Sequence, residues 1–89
     1  MYILGDIGNS ETKVFLVNSK NKIIKHINFS SKKINVRILN YKFNSLIKDY
    51  SKIEKILFCS VVPKSFNLIK KFISNKTSKK CYEVKDLKL

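Results

Sequence analysis

The sequence predicts an α/β domain on a mixed β-sheet, with elements in the order β-β-β-α-β-α-β. Three observations carry this. Apolar runs of strand length fill the first 29 positions, separated by short polar turns. From Val36 the apolar period changes to three- and four-residue steps. Short strand-like runs then return at Lys55 and Cys81, with a second helical stripe between them. Three strands joined by turns, followed by strands joined through helices, give antiparallel pairing first and parallel pairing after it.

Ile3 to Ile7 is nearly continuous in apolar residues, as expected of a central strand covered on both faces. Val14 to Val17 returns from it as a hairpin, and Asn18-Ser19-Lys20-Asn21 is a second turn. Lys22 to Phe29 alternates, with Ile23, Ile27 and Phe29 on one face and Ile24, His26 and Asn28 on the other. His26 has no acidic or cysteine neighbour and reads as a strand-surface residue. After the polar Ser30-Ser31-Lys32-Lys33, the residues Val36, Leu39, Phe43, Leu46, Ile47 and Tyr50 make one stripe of an amphipathic helix, N-capped by Asn35. Lys55 to Val62 reads as a buried strand. Pro63 stops it and suits the first turn of a helix whose stripe is Phe66, Ile69, Phe72 and Ile73. Asn75 to Lys80 ends that helix, Cys81 to Val84 is a short last strand, and Lys85 to Leu89 follows.

Composition bounds the function. With 89 residues there is room for one small domain (residues 1–89) or part of a larger one. Hydrophobic residues at 44% and aromatic residues at 11% argue for a folded globule rather than a disordered chain. No apolar run approaches the roughly 20 residues of a membrane span, and Met1 leads straight into a strand without a leader pattern. A cytoplasmic protein with no membrane partner is the expectation. The net charge of +13 comes from lysines spread along the chain, and Arg37 is the only arginine. A nucleic-acid footprint favours clustered basic residues with arginine prominent, so a lysine-decorated surface is the better reading. Cys59 and Cys81 form no metal-binding spacing with each other or with His26. Both read as reduced core residues.

The chemistry gathers at the first hairpin. Asp6 lies where the strand meets the turn, Gly8-Asn9-Ser10 form the bend, and Lys13 opens the returning run. Glycine permits positive φ or a close approach to the backbone. Asn9 and Ser10 bond locally or offer donors outward. A carboxylate, free amides and an ammonium together suit a phosphate carrying a hard divalent cation. The same residues also occur in hairpins only because they turn well, and the residues alone leave both readings open.

The whole spacing, Asp6-x-Gly8-Asn9-x-x-x-Lys13, resembles the first phosphate motif of the actin, sugar kinase and Hsp70 superfamily. Its Gly-Asn form resembles type III pantothenate kinase. Ser60-Val61-Val62-Pro63, at a strand end before a helix, is the second similar stretch. The resemblance implies a ribonuclease H-like (actin-like ATPase) half-domain, residues 1–89 being its N-terminal portion. It also implies ATP-dependent phosphorylation of pantothenate, the first step toward coenzyme A, in a homodimer using Mg²⁺ and a monovalent cation, K⁺ or NH₄⁺. Carried over by position, Asp6 and Lys13 are the catalytic residues and Asp6 the metal ligand. Asp6, Ile7, Gly8, Asn9, Ser10, Glu11, Thr12 and Lys13 line the nucleotide, with Ser60 as a further wall whose alternative is a satisfied strand-end hydroxyl. Family members run to about two or three times this length. Their Gly-x-Asp-Arg and Gly-Thr-Ala motifs do not occur in these residues. The chain is therefore expected to supply the phosphate-binding part and to be inactive alone.

Two other classes share the features. A ribonuclease H-type nuclease needs several carboxylates around two metals. Beyond Asp6 the acids are Glu11, Asp49, Glu54, Glu83 and Asp86, and Asp49 and Glu54 fall at the wrong end of the following strand. A noncatalytic basic module would bind polyanions with steep salt dependence and without need of Asp6 or Gly8.

Overall fold

The computed structural model describes residues 1–84. A five-stranded mixed sheet is built from β1 (Tyr2–Ile7), β2 (Glu11–Val17), β3 (Ile23–Ser30), β4 (Lys55–Ser60) and β5 (Cys81–Glu83), in the order β3-β2-β1-β4-β5. Pairing is antiparallel between β1 and β2 and between β2 and β3, and parallel between β1 and β4 and between β4 and β5. Helices α1 (Val36–Leu46) and α2 (Pro63–Ser74) make the two crossovers, as the periodicity predicts. Single 3₁₀ turns lie at Ser31–Lys33 and Tyr50–Lys52.

Local chemistry accounts for the element ends. Asn35 Oδ1 accepts from the Ile38 amide at 2.9 Å and starts α1. Pro63 sits in the first turn of α2. At the second turn, Asn18 Oδ1 accepts from the Lys20 and Lys22 amides, and Asn21 takes a positive φ of 62°. The α1 stripe ends earlier than its period suggests. Ile47 is already extended, and Asp49 accepts from the Ser51 amide and hydroxyl at 3.0 and 2.6 Å, so its side chain starts a separate 3₁₀ turn. Those Ser51 bonds, hydroxyl first, hold the Asp49 carboxyl below its usual range.

Both helices cover the same face. Ile3 and Ile7 of β1, Val14 of β2 and Ile56 and Phe58 of β4 are buried with Leu39 and Phe43 of α1 and Phe66 and Ile69 of α2 in one core. This corrects the expectation that β1 is covered on both faces. On the other face Leu4 is 38% and Tyr82 41% exposed, with Phe15 and Leu57 half-buried. In register, Tyr82, Leu57, Leu4, Phe15 and His26 form one row across all five strands. His26 is exposed, as expected, with its ring 6.1 Å from that of Phe15. Cys59 lies on this open face and is exposed, so it is not the core residue its apolar surroundings suggested, whereas Cys81 is buried. Ile23 also departs from expectation, at 60% exposed. The β2–β3 register shifts between Leu16 and Val17, which face Lys25 and Ile23, so the extra residue Ile24 breaks the alternation.

Gly5 faces the covered side. A Cβ there would stand 2.0 Å from the Phe58 ring, which occupies the space a side chain would need. Gly5→Ala is therefore expected to cost about 2–3 kcal/mol through overpacking. Thermal unfolding followed by circular dichroism should show a fall in Tm of roughly 10 °C or more for a domain this size. Phe58→Leu in the Gly5→Ala background should recover part of the loss.

Burial pushes the Tyr50 phenol from 10.0 up to about 12, and the Cys81 thiol from 9.0 up to about 12 against an opposing contribution from Lys70. Both groups fold best when neutral. The stability they confer is complete below pH 9 and is lost as pH rises toward 12. Urea midpoints should fall across that window. The buried Tyr50 hydroxyl has no hydrogen-bond partner among the described residues. Tyr50→Phe should thus raise stability at pH 7 by about 1 kcal/mol and remove the part of the alkaline loss that begins at pH 10.

Candidate active site

The polar hairpin lies at the carboxyl end of β1, where β4 also ends. Asp6 pairs in register with Lys13 on β2 and with Cys59 on β4, and Lys13 with Asn28 on β3, so these side chains share one row of the open face. Asp6 is exposed, and its carboxylate makes no hydrogen bond or ion pair among the described residues. Lys13 Nζ lies 3.8 Å from Glu11 Oε1, with both side chains about half exposed (56% and 50%). An ion pair that open is worth little and gives way readily to a competing anion.

The bend closes through the Gly8 amide, which donates to the Glu11 carbonyl at 3.0 Å. No glycine here has positive φ. The case for Gly8 is instead the close approach, since a Cβ would stand 3.1 Å from the Glu11 oxygen of the same turn. Asn9 and Ser10 are exposed at the tip. Ile7 and Thr12 pair across the hairpin and point into the core, at 1% and 0% exposed. Whatever they contribute to a ligand comes from their backbone or from holding the turn, since their side chains are out of reach.

Ser60 pairs with Ile7 and therefore faces away from Asp6. Its hydroxyl donates to the Val62 carbonyl and accepts from the Val62 amide, both at 3.0 Å. These bonds turn the chain from β4 into α2, which is the satisfied strand-end hydroxyl weighed against a ligand contact. The Val61 amide donates to the Ile7 carbonyl at 3.1 Å, carrying the β1–β4 pairing up to the hairpin.

On the covered side of the tip lies a cleft of about 630 Å³, lined among others by Asn9, Ser31, Lys32, Val62, Lys64 and Ser65. It borders the first turn of α2, whose N-cap, Val62, offers no side-chain acceptor and whose first turn carries no acid. The free amides and two lysines make this wall electropositive. Sequence reasoning missed Ser31, Lys32, Lys64 and Ser65. They sit in two separate polar connections, with no periodicity to mark them. Asn9 is the tip residue that reaches the cleft, while Asp6 and Lys13 occupy the opposite face.

Among the described residues no three of His, Cys, Asp and Glu cluster as a metal site. Glu54 binds the N-terminal ammonium at 3.2 Å, at the start of β1 and so at the far end of the sheet from Asp6. Glu83 lies on the covered side with Phe58, and Asp86 falls outside the described residues. One unpartnered carboxylate suits a Mg²⁺ held mainly by phosphate oxygens and water, and it does not suit a two-metal centre.

An exposed acid, a tight polar bend and a loosely held lysine thus stand together at the carboxyl end of a central strand of an α/β domain. The comparisons narrow the class. Residues 2–88 match the family model described as type III pantothenate kinase, and the chain belongs to that family. A protein of Pelagibacter ubique (strain HTCC1062) named type III pantothenate kinase is 52% identical over 89 residues, covering 100% of this chain and 36% of that relative. The chain thus spans about a third of the length of the curated relative it matches.

Proposed function

We propose that this chain is the N-terminal, ribonuclease H-like half-domain of a pantothenate-phosphorylating enzyme, and that its hairpin binds the phosphates of ATP. The observation that carries the reading is the shared row of Asp6 and Lys13 beside the Gly8–Glu11 bend, in a chain of this family. The exposed tip offers Asn9 and Ser10 to phosphate oxygens. Lys13 exchanges its weak contact with Glu11 for a phosphate of higher charge. Asp6 would hold a magnesium ion or its waters, and the ion would supply charge neutralisation to the phosphates. Positioning and charge neutralisation supply most of the rate in such in-line transfers.

The family resemblance adds a monovalent cation, a homodimer and a cytoplasmic setting to this reading. The acceptor-side base and the pantothenate pocket are assigned to sequence beyond these 89 residues, since no Gly-x-Asp-Arg occurs in them.

Isothermal titration calorimetry tests the phosphate site directly. Mg·ATP should bind the 89-residue chain, and Lys13→Ala should weaken it at least tenfold, about 1.4 kcal/mol. Asp6→Asn should weaken Mg·ATP more than metal-free ATP. Equal affinities in wild type and both variants refute the assignment. The purified chain alone should show no ATP-dependent phosphorylation of pantothenate, and detectable turnover would overturn the division of labour proposed here.

A further inference from the structure

The hairpin tip is held from behind by three hydroxyl-bearing residues. Thr12 Oγ1 and Ser31 Oγ lie 2.7 Å apart, with Thr12 0% and Ser31 6% exposed. The Ser31 amide donates to the Ser10 carbonyl at 3.0 Å. Ser65 Oγ, in the first turn of α2 and also buried, donates to the Ser31 carbonyl at 3.2 Å. Ser31 therefore reaches the hairpin tip with its amide, β2 with its hydroxyl and α2 with its carbonyl. Thr12 pairs in register with Ile7 and Phe29, both apolar, so a valine would fill its place in the core equally well. A hydroxyl pair in that setting adds direction rather than burial, because hydrogen bonds in a low-dielectric interior fix geometry.

We propose that Thr12, Ser31 and Ser65 are positioning residues that tether the Gly8–Glu11 bend to the first turn of α2 and so set the shape of the phosphate-binding turn. The inference rests on the phosphate reading of the hairpin. It gives Thr12 a role through its buried hydroxyl, with no contact to the nucleotide.

The test is the double variant Thr12→Val/Ser31→Ala in the 89-residue chain. Removing both partners of a buried pair together leaves no orphaned hydroxyl, so the fold should persist. Amide hydrogen exchange by NMR should be at least tenfold faster at Gly8 and at position 31, with the β1–β4 amides unchanged. Mg·ATP affinity should fall three- to tenfold, and Thr12→Ser alone should keep wild-type exchange. Unchanged exchange at both Gly8 and position 31 overturns the tether. Where the wild type binds Mg·ATP, a double variant that binds it as tightly overturns the tether too. Faster exchange in a chain whose wild type binds no Mg·ATP supports the tether and refutes the phosphate reading instead. Should the β1–β4 amides also lose protection, Ser65→Ala becomes the deciding variant: faster exchange at Ser31 supports the tether, and wild-type exchange there overturns it.

Discussion

Pairing on both edges of β1 is the constraint on which the rest of the structure depends. Every residue from Tyr2 to Ile7 has a register partner on β2 and another on β4. The strand can neither slip nor turn over without breaking two ladders, because a one-residue shift would exchange its buried and exposed sets. Gly5 tightens this further by admitting the Phe58 ring against the strand. The position of Asp6 follows from it. The carboxylate sits one residue after Gly5 and must point to the opposite face. The hairpin bend then begins where the covered face ends, so core packing and the aim of the polar row are set by the same six residues.

The hairpin divides its residues between two environments. Asp6 and Lys13 stand on the open face, in water, where side chains move freely to meet a charged ligand. Ile7 and Thr12 anchor the same turn in the core. Between them, the exposed tip is fixed by two backbone hydrogen bonds, from the Gly8 amide to the Glu11 carbonyl and from the Ser31 amide to the Ser10 carbonyl. The hairpin thus combines a buried frame with exposed, loosely held charges.

Much of this was legible in the sequence. The order of strands and helices, the Asn35 cap, the Pro63 start and the polar bend all come from local chemistry, and each stands where its residues place it. What escaped depends on contacts between distant residues. The hydrogen bond joining Thr12 and Ser31 spans 19 positions and the one joining Ser65 to Ser31 spans 34, and an isolated serine carries no periodic signal. Ile23 was misplaced because a bulge cannot be seen in an alternating run. The length of α1 was overread because Ile47 and Tyr50 continue its spacing, although the backbone is already extended at Ile47 and Asp49 then caps a separate turn. Apolar residues in β1 and β4 signalled two covered faces, yet both crossovers run over the same one.

That uncovered face has a colloidal consequence. Among the described residues Tyr82, Leu57, Leu4 and Phe15 form a partly exposed row, on a chain whose net charge is +13. Apolar surface favours self-association, and like charge opposes it. The balance is set by the solvent, since the screening length shrinks from about 10 Å at 0.1 M salt to about 3 Å at 1 M. Salt and soluble polyanions therefore act on this chain in the same direction, each removing the repulsion that keeps its bare faces apart.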